Sequence, residues 1–186
     1  MNNQIIVLTG LSASGKDSLS QIIKDRLSCH FVVSHTTRPM RPNEVNGNPY
    51  FFVSEQEFNS TKMIESRKYE TLVDNKPEIW YYGVSEGAIL DNRRYVVVLD
   101  VQGTQEFIKH FGDRVIPIYI HVNAKERERR SIERGGHDKY EWERRERDDL
   151  ITFTEENVNR IYYAQIENVD LEQTADKILE VVKKYG

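Results

Sequence analysis

The sequence predicts an α/β fold in which a P-loop parallel sheet is covered by helices, with an inserted lobe and a helical lid. Three observations carry this. Continuous apolar runs of strand length alternate with helical patterns, as strands buried on both faces of a parallel sheet require. The first run, Ile5 to Thr9, feeds a glycine-bounded loop that opens a helix. Two stretches then break the alternation, at residues 38–84 and at Gly135-Gly136.

In chain order, strands are expected at Ile5 to Thr9, Phe31 to Ser34, Tyr95 to Asp100, Val115 to Val122 and Ala164 to Asn168. Helices are expected at Lys16 to Leu27, Thr104 to Phe111, Ala124 to Arg134, Lys139 to about Tyr162 and Leu171 to Lys184. Pro39, Pro42 and the Asn46-Gly47 turn open the first irregular stretch. Short strand-like pieces follow from Tyr50 to Val84, around a helical segment at roughly Glu55 to Arg67. The Gly135-Gly136 pair joins two highly charged helices and suits a lid hinge. One domain results, with its core at 1–33, 94–123 and 164–186, a lobe at about 34–84 and a lid at about 124–150.

The 186 residues suffice for one full core, and a net charge of -4 provides no global field for nucleic acid or an anionic membrane. A bound anion must therefore be held by a local site. Cys29, the single cysteine, can form no internal disulfide and has no spaced Cys/His companions for zinc, so a reducing, cytoplasmic setting is expected. The N-terminal residues lack the features of a secretory leader, and no apolar run approaches membrane-spanning length.

Gly10-Leu11-Ser12-Ala13-Ser14-Gly15-Lys16-Asp17-Ser18 has the spacing of the P-loop. Its backbone N–H groups, the positive end of the following helix and the Lys16 ammonium together suit a nucleotide polyphosphate. Asp17 stands where the pattern asks for Ser or Thr, with the hydroxyl one residue later at Ser18. Either Ser18 meets the Mg²⁺ that accompanies ATP, or Asp17 ligates it as a hard oxygen donor.

Ser34-His35-Thr36-Thr37-Arg38-Pro39-Met40-Arg41 sets two guanidiniums three apart just after a strand, and such forks suit phosphate oxygens. Tyr50 can add a phenolic donor or simply open a strand. Asp100 ends a buried strand, where α/β sheets place their ligand crevice. Its carboxylate can hold a Mg²⁺-bound water, approach an acceptor nucleotide or cap the next helix. The interleaved Arg and Glu of Lys125 to Arg147 read mostly as a solvated face stitched by i,i+4 pairs.

Together these motifs resemble the guanylate kinase family, over almost the whole chain. Its pattern is a P-loop, Ser-x-Thr-Thr-Arg-x-x-Arg, then Gly-Glu-x-(Asn/Asp)-Gly-x-x-Tyr-x-Phe-Val. Here stand Ser34 to Arg41 and Glu44 to Val53, with Asn43 for the usual Gly. Tyr81-Tyr82-Gly83, Asp100-Val101-Gln102-Gly103, Arg130, Arg134-Gly135, Arg145 and Asn168-Val169-Asp170-Leu171 are similar to the family's later motifs. The resemblance implies phosphoryl transfer from ATP to GMP or dGMP with Mg²⁺, by a monomer or homodimer in purine nucleotide metabolism. It gives Arg38, Arg41, Tyr50 and Tyr82 the GMP phosphate. Ser34 and an acid read guanine, the acid assigned to Glu70 with Glu65 as the alternative, and Asp100 stands on the GMP side. Lys16, Arg38, Arg130, Arg134 and Arg145 become the catalytic cations. Val84 departs from the family, standing where a Ser or Thr usually helps recognise the base. Ribose bisphosphate phosphokinases share the Gly-Lys-Asp-Ser run, so a sugar phosphate or a broader range of (deoxy)nucleoside monophosphates is the alternative acceptor. A non-catalytic guanylate-kinase-like module would be expected to have lost the P-loop or the paired arginines, both of which are present.

Overall fold

A computed structural model describes residues 3–40, 44–48, 50–73, 76–90, 92–133 and 139–186, without the side chains of residues 71–73, 140, 141, 145 and 148. The chain divides into two compact units, residues 1–30 with 94–186, and residues 31–93.

The first unit is built on a five-stranded sheet of β1 (Ile5–Thr9), β2 (His30–Phe31), β7 (Tyr95–Val98), β8 (Val115–His121) and β9 (Ala164–Glu167), in the order β2-β7-β1-β8-β9. β1 lies centrally, parallel to β7 and β8, and β8 is parallel to β9. Central placement explains why β1 is wholly apolar until its last residue: Ile5, Ile6, Val7 and Leu8 are fully buried. Each such side chain contributes about 1.5–3 kcal/mol on leaving water. Leu19 and Ile23 of α1 (Lys16–Leu27), Phe107 of α3 (Val101–Phe111) and Ile178 of α7 (Leu171–Tyr185) complete the packing. The parallel sheet with flanking helices matches the expected class.

Two expected elements are each divided in the structure. The expected strand Phe31 to Ser34 is divided: β2 ends at Phe31, and β3 (Ser34–Thr36) joins another sheet. The long charged helix after Lys139 is two helices, α5 (Lys139–Thr152) and α6 (Glu155–Ile161). Thr154 breaks it by accepting from Asn157 N as the N-cap of α6. Val158 and Ile161 of α6 then pack with Val101, Tyr119 and Tyr162.

The second unit holds a four-stranded sheet, β4-β3-β6-β5, of β3 with β4 (Tyr50–Phe52), β5 (Met63–Val73) and β6 (Lys76–Ser85). The helix expected to reach Arg67 stops early: α2 covers only Glu55–Ser60, opened by a capping box between Ser54 and Glu57. From Met63 the chain is instead the long arm of a hairpin with β6.

The register of this sheet decides which side chains share a face. β3 and β4 pair Ser34 with Tyr50 and Thr36 with Phe52, β3 and β6 pair Thr36 with Tyr82, and β5 and β6 pair Glu65 with Val84 and Arg67 with Tyr82. Directly paired residues point to the same side. One face therefore carries Ser34, Thr36, Tyr50, Phe52, Glu65, Arg67, Tyr82 and Val84. The other carries His35, Phe51 and Tyr81, where Phe58 of α2 meets the Tyr81 ring.

Candidate active site

In the first unit the loop after β1 is shaped around its own backbone. Gly15 has φ 90°, and a Cβ there would meet the Asn168 amide nitrogen at 2.4 Å. A Cβ at Gly10 would lie 2.3 Å from the Ile120 carbonyl oxygen. Glycine is required at both positions by close approach. The Lys16 ammonium lies over the loop, donating to the Leu11 carbonyl at 2.9 Å. Gly15 as N-cap gives α1 no capping side chain, which leaves the first-turn N–H groups suited to an anion. Ala13, Ser14 and Ser12 complete the loop, with Ser14 N donating to Leu11 O.

A cleft of about 390 Å³ adjoins this loop, lined by Gly15, Ser18, Glu126, Arg130 and residues 168–171 among others. Ser18 lines it, while Asp17, also exposed in the first turn of α1, is not among the lining residues. No group of three His, Cys, Asp or Glu side chains among the described residues could hold a metal ion by itself. The Arg130 guanidinium, on α4 (Ala124–Glu133), donates to Glu126 at 2.8 Å and to the Asn168 carbonyl at 2.9 Å. Arg134 lies outside the described residues, as does the side chain of Arg145.

Three residues of this unit play parts that their sequence patterns did not disclose. Asn168, 2 % exposed, donates from its amide to Ser14 O at 2.8 Å and accepts from the Thr174 hydroxyl at 3.1 Å, propping the loop from behind. Arg127 stands within the charged run assigned to a solvated face, yet it is buried. It donates to the Ser12 and Val122 carbonyls, pairs with Glu146, and lies 5.7 Å from the Trp142 ring centroid. Asp149 accepts from Ser12 N at 3.1 Å, placing a carboxylate on the phosphate loop. Burial pushes that carboxyl above its usual range, against the Ser12 N–H and the Lys16 ammonium, which favour the charge.

Asp100 caps α3, accepting from Gly103 N at 2.7 Å. Of the three roles open to it, the helix cap is thus occupied.

In the second unit, the sheet face described above brings together Ser34, Tyr50 and Tyr82, which the family resemblance led us to expect on the acceptor side. Arg38 is 5 % exposed, donates to Glu44 at 2.7 Å and to the Pro39 carbonyl, and stacks over the Tyr50 and Phe52 rings. Glu44 foremost holds this guanidinium above its ordinary pKa, against the cost of burial, and the Tyr82 hydroxyl adds to the effect. Tyr82 meets Tyr50 edge-on at 5.7 Å. Extending the β3–β6 register by one residue sets Ser34 beside Val84, so Tyr50, Ser34, Val84 and Glu65 form one row across four strands. Arg41 lies outside the described residues.

Glu70 does not join this group. It pairs with Ile79 on the opposite face, its carboxylate is 78 % exposed beside Lys68, and it stands about 17 Å along the strand from Glu65 at ~3.3 Å per residue. Glu65 is the buried acid, its side chain 7 % exposed and 3.6 Å from Arg67. Of the two candidate acids, Glu65 and not Glu70 shares the sheet face of Ser34, Tyr50 and Tyr82.

The guanylate kinase family model matches residues 2–185. The chain is 38% identical over 124 residues to a guanylate kinase of Sulfurimonas denitrificans, across 62% of this chain and 57% of that protein. It is 31% identical over 193 residues to a guanylate kinase of Helicobacter pylori strain J99, across 98% of this chain and 89% of that one. Among solved structures, the guanylate kinase from Anaplasma phagocytophilum shares the fold at TM-score 0.66 and 22% identity, over 98% of this chain and 86% of its own.

Proposed function

The chain belongs to the guanylate kinase family, and from that premise we propose that it transfers the γ-phosphoryl group of ATP to GMP, and to dGMP, giving ADP and GDP. The observation that carries the acceptor assignment is the single sheet face shared by Ser34, Tyr50, Tyr82 and Glu65, with Arg38 stacked over it. A carboxylate accepts from guanine N1–H and the 2-amino group together, whereas adenine offers no such pair of donors. The wrong base would leave Glu65 buried and unpaired.

In this reading the loop N–H groups and Lys16 hold the donor phosphates, and the adjoining cleft takes the donor nucleoside. Mg²⁺, when bound with ATP, neutralises charge on the phosphate oxygens; Ser18, facing the cleft, fits it better than Asp17. Arg38, Arg41, Tyr50 and Tyr82 hold the GMP phosphate so that its oxygen can attack in line, without a covalent enzyme intermediate. Arg130, Arg134 and Arg145 complement the migrating charge. A residue-124–150 lid hinged at Gly135-Gly136 would exclude water. A single cysteine accords with a reducing, cytoplasmic setting; burial pushes that thiol, Cys29, up to about 11.

A coupled ADP-release assay with GMP, dGMP, AMP, UMP and ribose 1,5-bisphosphate tests the proposal. GMP and dGMP are expected to give the highest kcat/KM. Preference for the sugar phosphate or for AMP would overturn it.

A further inference from the structure

We infer that Arg67 is a specificity-determining residue that donates to guanine O6 and N7, an inference that rests on Glu65 reading the base. Arg67 lies two residues along β5 from Glu65 and on the same face, its side chain 14 % exposed and the charged groups 3.6 Å apart. It sits opposite Tyr82 in the ladder. Guanine presents, in order around one edge of its plane, the 2-amino donor, the N1–H donor, the O6 acceptor and then the N7 acceptor. Its complement is a carboxylate followed by a donor beyond N1. Glu65 and Arg67 stand in that sequence.

Val84 supplies the reason a donor is needed. It pairs directly with Glu65 and is fully buried, so methyl groups stand where a neighbouring hydroxyl would otherwise serve the base. A buried O6 without a donor costs the binding of the correct base. Arg67 Nη1 donates to the Ser66 carbonyl, and the remaining N–H donors of the guanidinium fork can match O6 and N7 bidentately, the pairing by which arginine recognises guanine elsewhere. Against adenine the same fork would face the 6-amino donor, and the carboxylate would face the N1 lone pair. The Glu65–Arg67 pair thus penalises the wrong base at two adjacent atoms.

The experiment measures kcat/KM for GMP, AMP, 6-thio-GMP and 7-deaza-GMP in the wild type, Arg67→Met and Arg67→Lys. Both modified guanines keep N1–H and the 2-amino group, leaving the Glu65 contacts intact. Wild type should lose about tenfold on each, within the usual worth of a bidentate contact. In Arg67→Met, GMP should fall to the level of the analogues, with both ratios near one. Arg67→Lys keeps the charge beside Glu65 and so guards against misfolding; one ammonium cannot span two acceptors as the fork does, and at least one ratio should collapse. Undiminished discrimination in both variants, or an equal loss on all three guanine nucleotides, overturns the role of Arg67. A wild type that prefers GMP over AMP but ignores both modifications overturns it as well. A wild type indifferent between GMP and AMP refutes the underlying reading of Glu65 instead.

Discussion

Replacing Asn168 by alanine removes a side chain that links the phosphate loop to the start of α7. Its backbone bonds, to His121 O and from Arg130, are kept by alanine, so the perturbation is confined to the amide group. Ser14 O loses the donor at 2.8 Å, and a stranded buried acceptor costs about 1–3 kcal/mol. Thr174 loses its 3.1 Å partner but keeps the Asp170 carbonyl at 2.6 Å, a loss of about 0.5–1.5 kcal/mol. The sum is about 1.5–4.5 kcal/mol, which for a chain of this size lowers Tm by roughly 3–18 °C. Because the lost bond shapes the loop, ATP affinity should fall as well. Asn168→Asp should be worse for ATP, since a carboxylate oxygen would face the Ser14 carbonyl. Thermal unfolding and ATP calorimetry on both variants provide the check. A Tm within about 2 °C of wild type, or unchanged ATP affinity in both, would refute the propping role.

Lys16→Ala should leave Tm nearly unchanged while transfer falls on the order of 10³-fold or more, because the ammonium serves the donor phosphates and the transition state; steady-state kinetics beside a melting curve decides this. Arg38→Ala should raise the KM for GMP and leave ATP affinity within a few fold. It should also cost stability, because it breaks the mostly buried ion pair with Glu44; adding Glu44→Gln should recover part of the stability and not the activity, as paired melts and assays would reveal. Asp149→Asn should change the pH dependence of stability. Burial raises the folded-state pKa of Asp149, so the folded form holds its proton longer, and stability falls as pH rises from the ordinary carboxylate range through that raised value. The asparagine variant lacks this fall and should gain Tm relative to wild type across that window; parallel Tm curves from pH 3.5 to 7 would contradict it. The same variant should bind ATP more tightly, since its amide keeps an acceptor for Ser12 N but removes the negative charge that would face the phosphates there.

The core was legible where one physical demand governed a segment. β1 is apolar because both sheet faces cover it, and the loop that follows needs glycine where Ile120 O and Asn168 crowd the backbone. Legibility failed where charged and aromatic residues line a sheet face. On β5 the alternating Glu65, Arg67 and Tyr69 share one face, so the two-residue period carries no hydrophobic signal, and a helix was expected as far as about Arg67. The same hairpin left Glu65 and Glu70 as alternatives, because its register with β6 cannot be counted from unaligned sequence. Phe31 to Ser34 reads as one run, though tertiary pairing assigns its ends to different sheets. Arg127 was lost among its neighbours: nothing in an alternation of Arg and Glu marks the one guanidinium that turns inward to Ser12 and Glu146.

The acceptor site rests on one carboxylate, and comparing Glu65→Gln with Glu70→Gln tests it most directly. Glutamine presents one acceptor oxygen and an amide donor where guanine needs two acceptors, so both hydrogen bonds cannot be kept. With kcat/KM measured for GMP and AMP in each form, Glu65→Gln should lose about 100-fold or more on GMP and most of its preference over AMP, a cost typical of a buried charged partner. Glu70→Gln should remain within about twofold, as its exposed surface ion pair is worth little. An intact GMP/AMP ratio in Glu65→Gln, or its collapse in Glu70→Gln, would contradict the site.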